Sequence, residues 1–113
     1  MLAMTKLACL ALLAVLVGCT PPKPTVPSLT PEAAAALLRY NSKAETWMIH
    51  VKKQNASCEY RVDVPDQTNH PAELDVAHIV YCGGRPAPRE YDATVSFSYD
   101  AQAGHWVITR FSS

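Results

Sequence analysis

The sequence lacks an excess of charge of either sign. Its 113 residues contain ten Lys and Arg against ten Asp and Glu, so the formal net charge at pH 7 is zero. Proteins that bind nucleic acids usually present a basic face. The charge balance therefore argues against a nucleic acid as the main partner, and the length suffices for one small domain.

Sequence motifs of common enzymes and metal sites are also missing. There is no Gly-x-Ser-x-Gly nucleophile elbow, and no glycine-rich phosphate loop precedes a helix. Glu73 and Asp75 are two residues apart and therefore lie on the same face of a predicted strand. This spacing is more typical of a solvated strand edge than of a catalytic acid–base pair. A Ser–His–Asp triad built from distant residues stays open, but we expect no enzyme, catalytic residue, metal or cofactor. The sequence contains four histidines, which lie too far apart for a usual zinc motif: His50, His70, His78 and His105. We interpret His78 as a structural residue.

No apolar run is long enough to cross a bilayer. The longest covers residues 7–17, whereas a transmembrane helix needs about 20 residues. Eleven residues fit the apolar core of a secretory signal peptide, and Lys6 supplies the preceding positive charge. Either Met1 or Met4 is compatible with the start of such a signal.

Residues 16–19 resemble the lipobox of bacterial lipoprotein precursors, with the sequence Leu16, Val17, Gly18 and Cys19. The resemblance implies that residues 1–18 are a signal peptide and that Cys19 becomes the acylated first residue. In this family the residue after the acylated Cys influences sorting, and an Asp there is associated with inner-membrane retention. Here that residue is Thr20, which implies an outer-membrane anchor facing the periplasm if the cell is Gram-negative. The alternative is a secretory signal without lipidation.

Cysteine is scarce in the rest of the chain. Cys9 falls in the signal peptide and Cys19 is the acylation site, which leaves Cys58 and Cys82. Two thiols in a small exported domain favour a disulfide, because the compartment is oxidising. Closing a loop of roughly 25 residues would contribute about 3.5 kcal/mol. A metal or redox pair would need closer spacing.

Residues 19–29 are interpreted as the lipidated Cys and a tether. Four prolines among residues 20–29 favour a polyproline II spacer, about 30 Å long at ~3.1 Å per residue. The domain then covers residues 30–113.

The domain is expected to begin with a helix. Thr30 is a suitable N-cap, Pro31 suits the first helical position, and the helix is expected to end near Asn41. The predicted buried face consists of Ala33, Ala36, Leu37, Tyr40 and Ala44.

Alternating or apolar patterns predict five strands within residues 46–52, 58–64, 74–82, 91–99 and 105–111. The predicted fold class is α+β, with one N-terminal helix packed on a four- to five-stranded antiparallel meander. This arrangement resembles the cystatin topology, although no Gln-x-Val-x-Gly hairpin is present. Antiparallel pairing would bring Cys58 and Cys82 together.

Residues 83–89 are the candidate binding loop. They carry Arg85 and Arg89 on a stretch stiffened by Pro86 and Pro88. A preorganised guanidinium group suits contacts with carboxylates or phosphates. The alternative is a connecting loop with charged tips.

These patterns predict a membrane-anchored envelope lipoprotein with a non-catalytic protein-binding domain, such as an accessory subunit of a secretion or envelope-assembly system. Its partners would be the lipid bilayer, through acylated Cys19, and another envelope protein. The alternative is a periplasmic inhibitor or ligand-binding lipoprotein.

Overall fold

The computed structural model describes residues 25–113, so the predicted signal peptide, Cys19 and the first part of the tether lie outside the described residues. The described chain is α+β, which confirms the predicted class. In chain order its elements are α1 (Pro31–Arg39), α2 (Ser42–Gln54), β1 (Cys58–Tyr60), β2 (Glu73–Ala77), β3 (Val80–Cys82), β4 (Arg85–Pro86), a 3₁₀ helix (Arg89–Tyr91), β5 (Thr94–Asp100) and β6 (His105–Ser112).

Helix α1 begins as predicted, but its buried face differs from the prediction. Thr30 Oγ1 accepts a hydrogen bond from the Ala33 backbone N–H at 3.1 Å. The fully buried residues are Ala34 and Leu38, whereas Tyr40 is 88% exposed. Of the predicted face, Ala44 is buried and Ala36 and Leu37 are half-buried, but Ala33 and Tyr40 are exposed. A run of alanines followed by two leucines is apolar on every side and does not select one face.

Helix α2 replaces the first predicted strand. The Asn41 side chain, expected at a helix end, instead caps α2 by accepting from the Ala44 N–H at 3.0 Å. Ala44 and Val51 are seven residues apart, lie on one helical face and are both fully buried, whereas Ile49 is 55% exposed. The apolar residues at 47, 49 and 51 alternate, but those at 44, 47, 48 and 51 also fit a helix, and the cap selects the helix.

The strands form two three-stranded antiparallel sheets where one meander was predicted. The small sheet has the order β1-β3-β4 and the large sheet has the order β2-β5-β6. The cystatin-like topology is not confirmed.

The predicted strand over residues 74–82 divides between the two sheets at His78. This residue has φ +59°, a left-handed conformation uncommon outside glycine, and ends β2. Its side chain is 79% exposed, so it does not lie on the core face with Val76 and Val80 as predicted. The Asp92 carboxylate lies 2.6 Å from His78 Nδ1 and accepts from the Val80 and Ala93 N–H groups. Asp92 thereby fixes the point at which the chain changes sheets.

The helices and both sheets share one hydrophobic core. Its largest fully buried side chains are Phe97, Leu38, Ile79, Val51, Val62, Val80 and Val95. Tyr60 of the small sheet donates its hydroxyl to the Ala44 carbonyl of α2 at 2.6 Å and meets Phe111 of the large sheet edge-on at 6.0 Å. This tyrosine therefore joins three parts of the fold.

Candidate functional site

The Cys58–Cys82 disulfide is present, which confirms the prediction. The two cysteines are direct register partners in the antiparallel pair of β1 and β3. Cys58 is buried and Cys82 is half-buried. The bond therefore crosslinks the start of β1 to the end of β3, directly before the turn that leads to β4.

That turn is a two-residue hairpin loop. Cys82 pairs with Arg85, so only Gly83 and Gly84 connect β3 to β4. Both glycines have positive φ, +63° and +79°, as the type I′ turns of hairpins require. The glycines therefore place Arg85 directly beside the disulfide.

We call residues 83–89 the basic hairpin. Arg85 and Arg89 are both exposed, and neither side chain makes an ion pair or hydrogen bond within residues 25–113. Sequence reasoning placed these arginines on a loop, whereas the structure adds the hairpin and the 3₁₀ helix that begins at Arg89.

The segment that carries the two arginines is attached to the domain at both ends. The Ala87 N–H donates to the Val80 carbonyl at 2.9 Å, which fixes the segment after Pro86. Beyond Arg89, the Tyr91 carbonyl accepts from Trp47 Nε1 of α2 at 3.1 Å. The backbone of the basic hairpin is therefore held in place, while its guanidinium groups face solvent.

A polar cluster that sequence reasoning did not identify lies beside the small sheet. Arg61 stacks over the Tyr81 ring at 4.6 Å, and its Nε lies 3.3 Å from Asp63 Oδ1. The Tyr81 hydroxyl donates to Asp63 Oδ2 at 3.1 Å, and this hydrogen bond raises the pKa of Tyr81. The available signal was the alternation of Arg61 and Asp63 on the polar side of the predicted strand.

The large sheet presents a polar face to solvent. Glu73 and Asp75 are exposed on one face of β2, as their spacing predicted. Asp75 accepts from the Ser96 hydroxyl at 2.6 Å, and Ser96 is also the register partner of Arg110. These residues border an open depression of about 860 Å³. The satisfied carboxylate and the exposure favour a solvated sheet face.

His78 and Asp92 are the only His–carboxylate contact within residues 25–113. No hydroxyl or thiol is hydrogen-bonded to the other ring nitrogen of His78 in that range. A nucleophile of a Ser–His–Asp triad would occupy that position. The contact is therefore better explained by the sheet change that Asp92 stabilises.

The C-terminal part of the predicted tether lies against the domain, and we call residues 25–29 the strap. Trp106 Nε1 donates to the Pro27 carbonyl at 2.9 Å. The Gln67 side-chain amide both donates to the Leu29 carbonyl at 3.1 Å and accepts from its N–H at 3.0 Å. Leu29 is 3% exposed and belongs to the core. The strap therefore fixes the point at which the chain enters the domain.

Two structural features are absent from the described part of the chain. Residues 25–113 contain no group of three or more His, Cys, Asp and Glu side chains placed to hold a metal ion. No helix in that range combines the length and apolar character needed to span a membrane.

Comparison with known proteins gave no match to a family model, a curated protein or a solved structure.

Proposed function

We propose that this chain is a lipid-anchored envelope lipoprotein whose non-catalytic domain binds another envelope protein through the basic hairpin. The observation that carries the proposal concerns Arg85 and Arg89, which are exposed and whose side chains make no ion pair or hydrogen bond within residues 25–113. Their backbone is fixed by the disulfide, the glycine turn and the Trp47 contact. Two charged groups on a fixed backbone form a binding surface at low entropic cost.

The chemistry of the basic hairpin selects the kind of partner. A guanidinium group forms paired hydrogen bonds with a carboxylate, and such charge-assisted bonds are about twice as strong as neutral ones. Because neither arginine has an acidic partner in residues 25–113, binding would not require an intramolecular ion pair to break. The partner is therefore expected to present at least two carboxylates.

The anchor is proposed at Cys19. The apolar run and the lipobox resemblance support lipidation, and a disulfide in so small a domain is typical of an oxidising compartment. With such an anchor, the partner is expected at the same membrane, which in a Gram-negative cell is the outer membrane on its periplasmic side. We propose a role as an accessory subunit of a secretion or envelope-assembly system, which an anchor and a protein-binding surface would both serve.

Two experiments test the proposal. Metabolic labelling with palmitate should mark the full chain and be lost in Cys19→Ser. Retention of the label in that variant would contradict the anchor.

For the partner, a photo-crosslinking amino acid at Pro86, between the arginines, should form one discrete adduct with an envelope protein in cells. The same group at Lys53 on α2 should not form that adduct. Arg85→Glu with Arg89→Glu should abolish the adduct, whereas the matched charge reversal Lys52→Glu with Lys53→Glu should preserve it. Equal adducts in both double variants would show that the basic hairpin is not the binding site.

A further inference from the structure

A second surface of the domain is predominantly apolar and lies beside the strap. It is a groove of about 400 Å³ between α1 and the β5–β6 hairpin, and we call it the aromatic groove. Within residues 25–113, no Asp, Glu, Lys or Arg lines it. Its principal lining residues are Pro27, Leu37, Tyr40, Tyr99, His105 and Trp106.

Tyr40 is the most exposed large apolar residue in the described part of the chain, at 88%. A tyrosine ring with a polar hydroxyl favours the boundary between water and hydrocarbon, as do tryptophan rings. Tyr99 and Trp106 meet edge-on at 5.8 Å and, together with residues of α1, line the aromatic groove. The composition therefore suits the headgroup region of a bilayer.

The chain itself limits how far this groove can lie from a membrane. The Trp106–Pro27 and Gln67–Leu29 hydrogen bonds fix the strap on the domain, and Pro27 is part of the groove wall. Only five residues lie between Cys19 and Thr25, so six Cα-to-Cα steps connect them. Even fully extended, that length reaches no more than roughly 20 Å. An acyl anchor at Cys19 would therefore hold the aromatic groove beside the lipid surface.

We infer that the aromatic groove is a membrane-contact face, which sets the orientation of the anchored domain by inserting Tyr40 into the lipid interface. The inference rests on the lipid anchor of the proposed function. The occupant is the bilayer, because the fixed strap and short reach bring lipid to this surface without a second protein.

Spin labels on the lipidated chain test the inference. With Cys19 acylated and Cys58 bonded to Cys82, Tyr40→Cys offers one free thiol, and Ile49→Cys offers a matched exposed apolar site on α2. Each labelled chain is placed in vesicles of phosphatidylethanolamine and phosphatidylglycerol. Accessibility is then measured to oxygen, which concentrates in lipid, and to a water-soluble nickel complex.

The label at 40 should lose nickel accessibility and gain oxygen accessibility, while the label at 49 stays accessible to nickel. A label at Ala33→Cys, also in the aromatic groove, should follow the label at 40. Water-like accessibility at both 40 and 49, or lipid-like accessibility at both, would overturn the inference. Protection of position 40 from both reagents would indicate a protein cover and would overturn it too.

Vesicle flotation separates this failure from failure of the anchor. If flotation depends on Cys19 but position 40 remains in water, the anchor stands and the membrane-contact face is wrong. If the Cys19→Ser chain floats equally well, the anchor and the inference fail together.

Discussion

The two sheets of this domain are stabilised by different means. The large sheet has strands of five, seven and eight residues, and its inward side chains include the buried Val95 and Phe97. The small sheet has strands of three, three and two residues and carries the Cys58–Cys82 disulfide. A long ladder can be held by side-chain burial, whereas strands this short have few hydrogen bonds, so a covalent link compensates.

The basic hairpin and the aromatic groove differ in the same way, because each depends on a different sheet. The small sheet positions the basic hairpin directly after Cys82 through two glycines. The large sheet supplies Tyr99 and Trp106 to the aromatic groove through ordinary core packing. Disulfide reduction is therefore expected to disturb the proposed protein contact more than the proposed membrane contact.

The largest expected effect tests how far the large sheet depends on burial. Phe97 is 1% exposed, and Phe97→Ala should lower the free energy of unfolding by about 3–5 kcal/mol through lost apolar burial and the cavity left behind. Urea unfolding of residues 20–113 measures the change. Ser98→Ala, next to it on the opposite strand face, should change stability by less than about 0.5 kcal/mol. Similar losses in both variants would show that burial of this face is not the stabilising factor.

The next largest loss of stability is expected when the disulfide of the small sheet is removed. Cys58→Ala with Cys82→Ala should cost about 3.5 kcal/mol, because the unfolded chain regains the freedom of the 24-residue separation. Hydrogen exchange should show lost protection in β1 and β3 while β5 and β6 remain protected relative to global unfolding. Uniform loss across both sheets would contradict a separate dependence on the disulfide.

A smaller effect compares the turns of the two sheets. Gly84 in the small sheet and Gly104 in the turn between β5 and β6 have nearly equal φ, +79° and +77°. Changing either to Ala should cost about 1–2 kcal/mol, since the penalty for left-handed backbone is local. Asn tolerates this conformation better, so Gly84→Asn is the matched control and should cost less. Thermal unfolding measures all three variants, and a negligible cost for both alanines would contradict the argument.

The elements that sequence reasoning predicted correctly had a signal confined to neighbouring residues. Thr30 caps its helix through a bond to Ala33, three residues away. The alternation of β5 matches the burial of Val95 and Phe97. The disulfide was also predictable, because the predicted signal peptide and lipidation site account for the other two cysteines, and antiparallel strands bring their ends together.

The elements that were missed depend on distant contacts or ambiguous patterns. Trp47 and Val51 fit both an alternating strand and a helical face, so periodicity could not distinguish them. The sheet change at His78 depends on Asp92, fourteen residues further along the chain. For the site, a connecting segment that carries Arg85 and Arg89 was predictable, but its strand β4, its 3₁₀ helix and the strap were not. Its partner Trp106 lies 79 residues from Pro27 in sequence.

The smallest effects concern Tyr60, the residue of the small sheet that contacts both α2 and the large sheet. Tyr60→Phe keeps the ring against Phe111 but removes the hydroxyl donated to the Ala44 carbonyl. We expect a loss of about 1 kcal/mol at neutral pH, measured by urea unfolding. The control is Tyr81→Phe, whose hydroxyl bonds to the exposed Asp63 and should contribute less.

The loss of stability in Tyr60→Phe should also depend on pH, which tests whether the Tyr60 hydroxyl is buried. Burial raises the pKa of Tyr60 above its ordinary value of 10.0. Above pH 10 the unfolded chain therefore loses the phenolic proton while the folded chain retains it, so stability falls as pH rises. The phenol's contribution is fully present below pH 10, and the stability difference between the native chain and Tyr60→Phe should shrink above it. A difference that stays constant from pH 8 to pH 11 would mean that this hydroxyl is not buried at the junction of α2 with the small sheet.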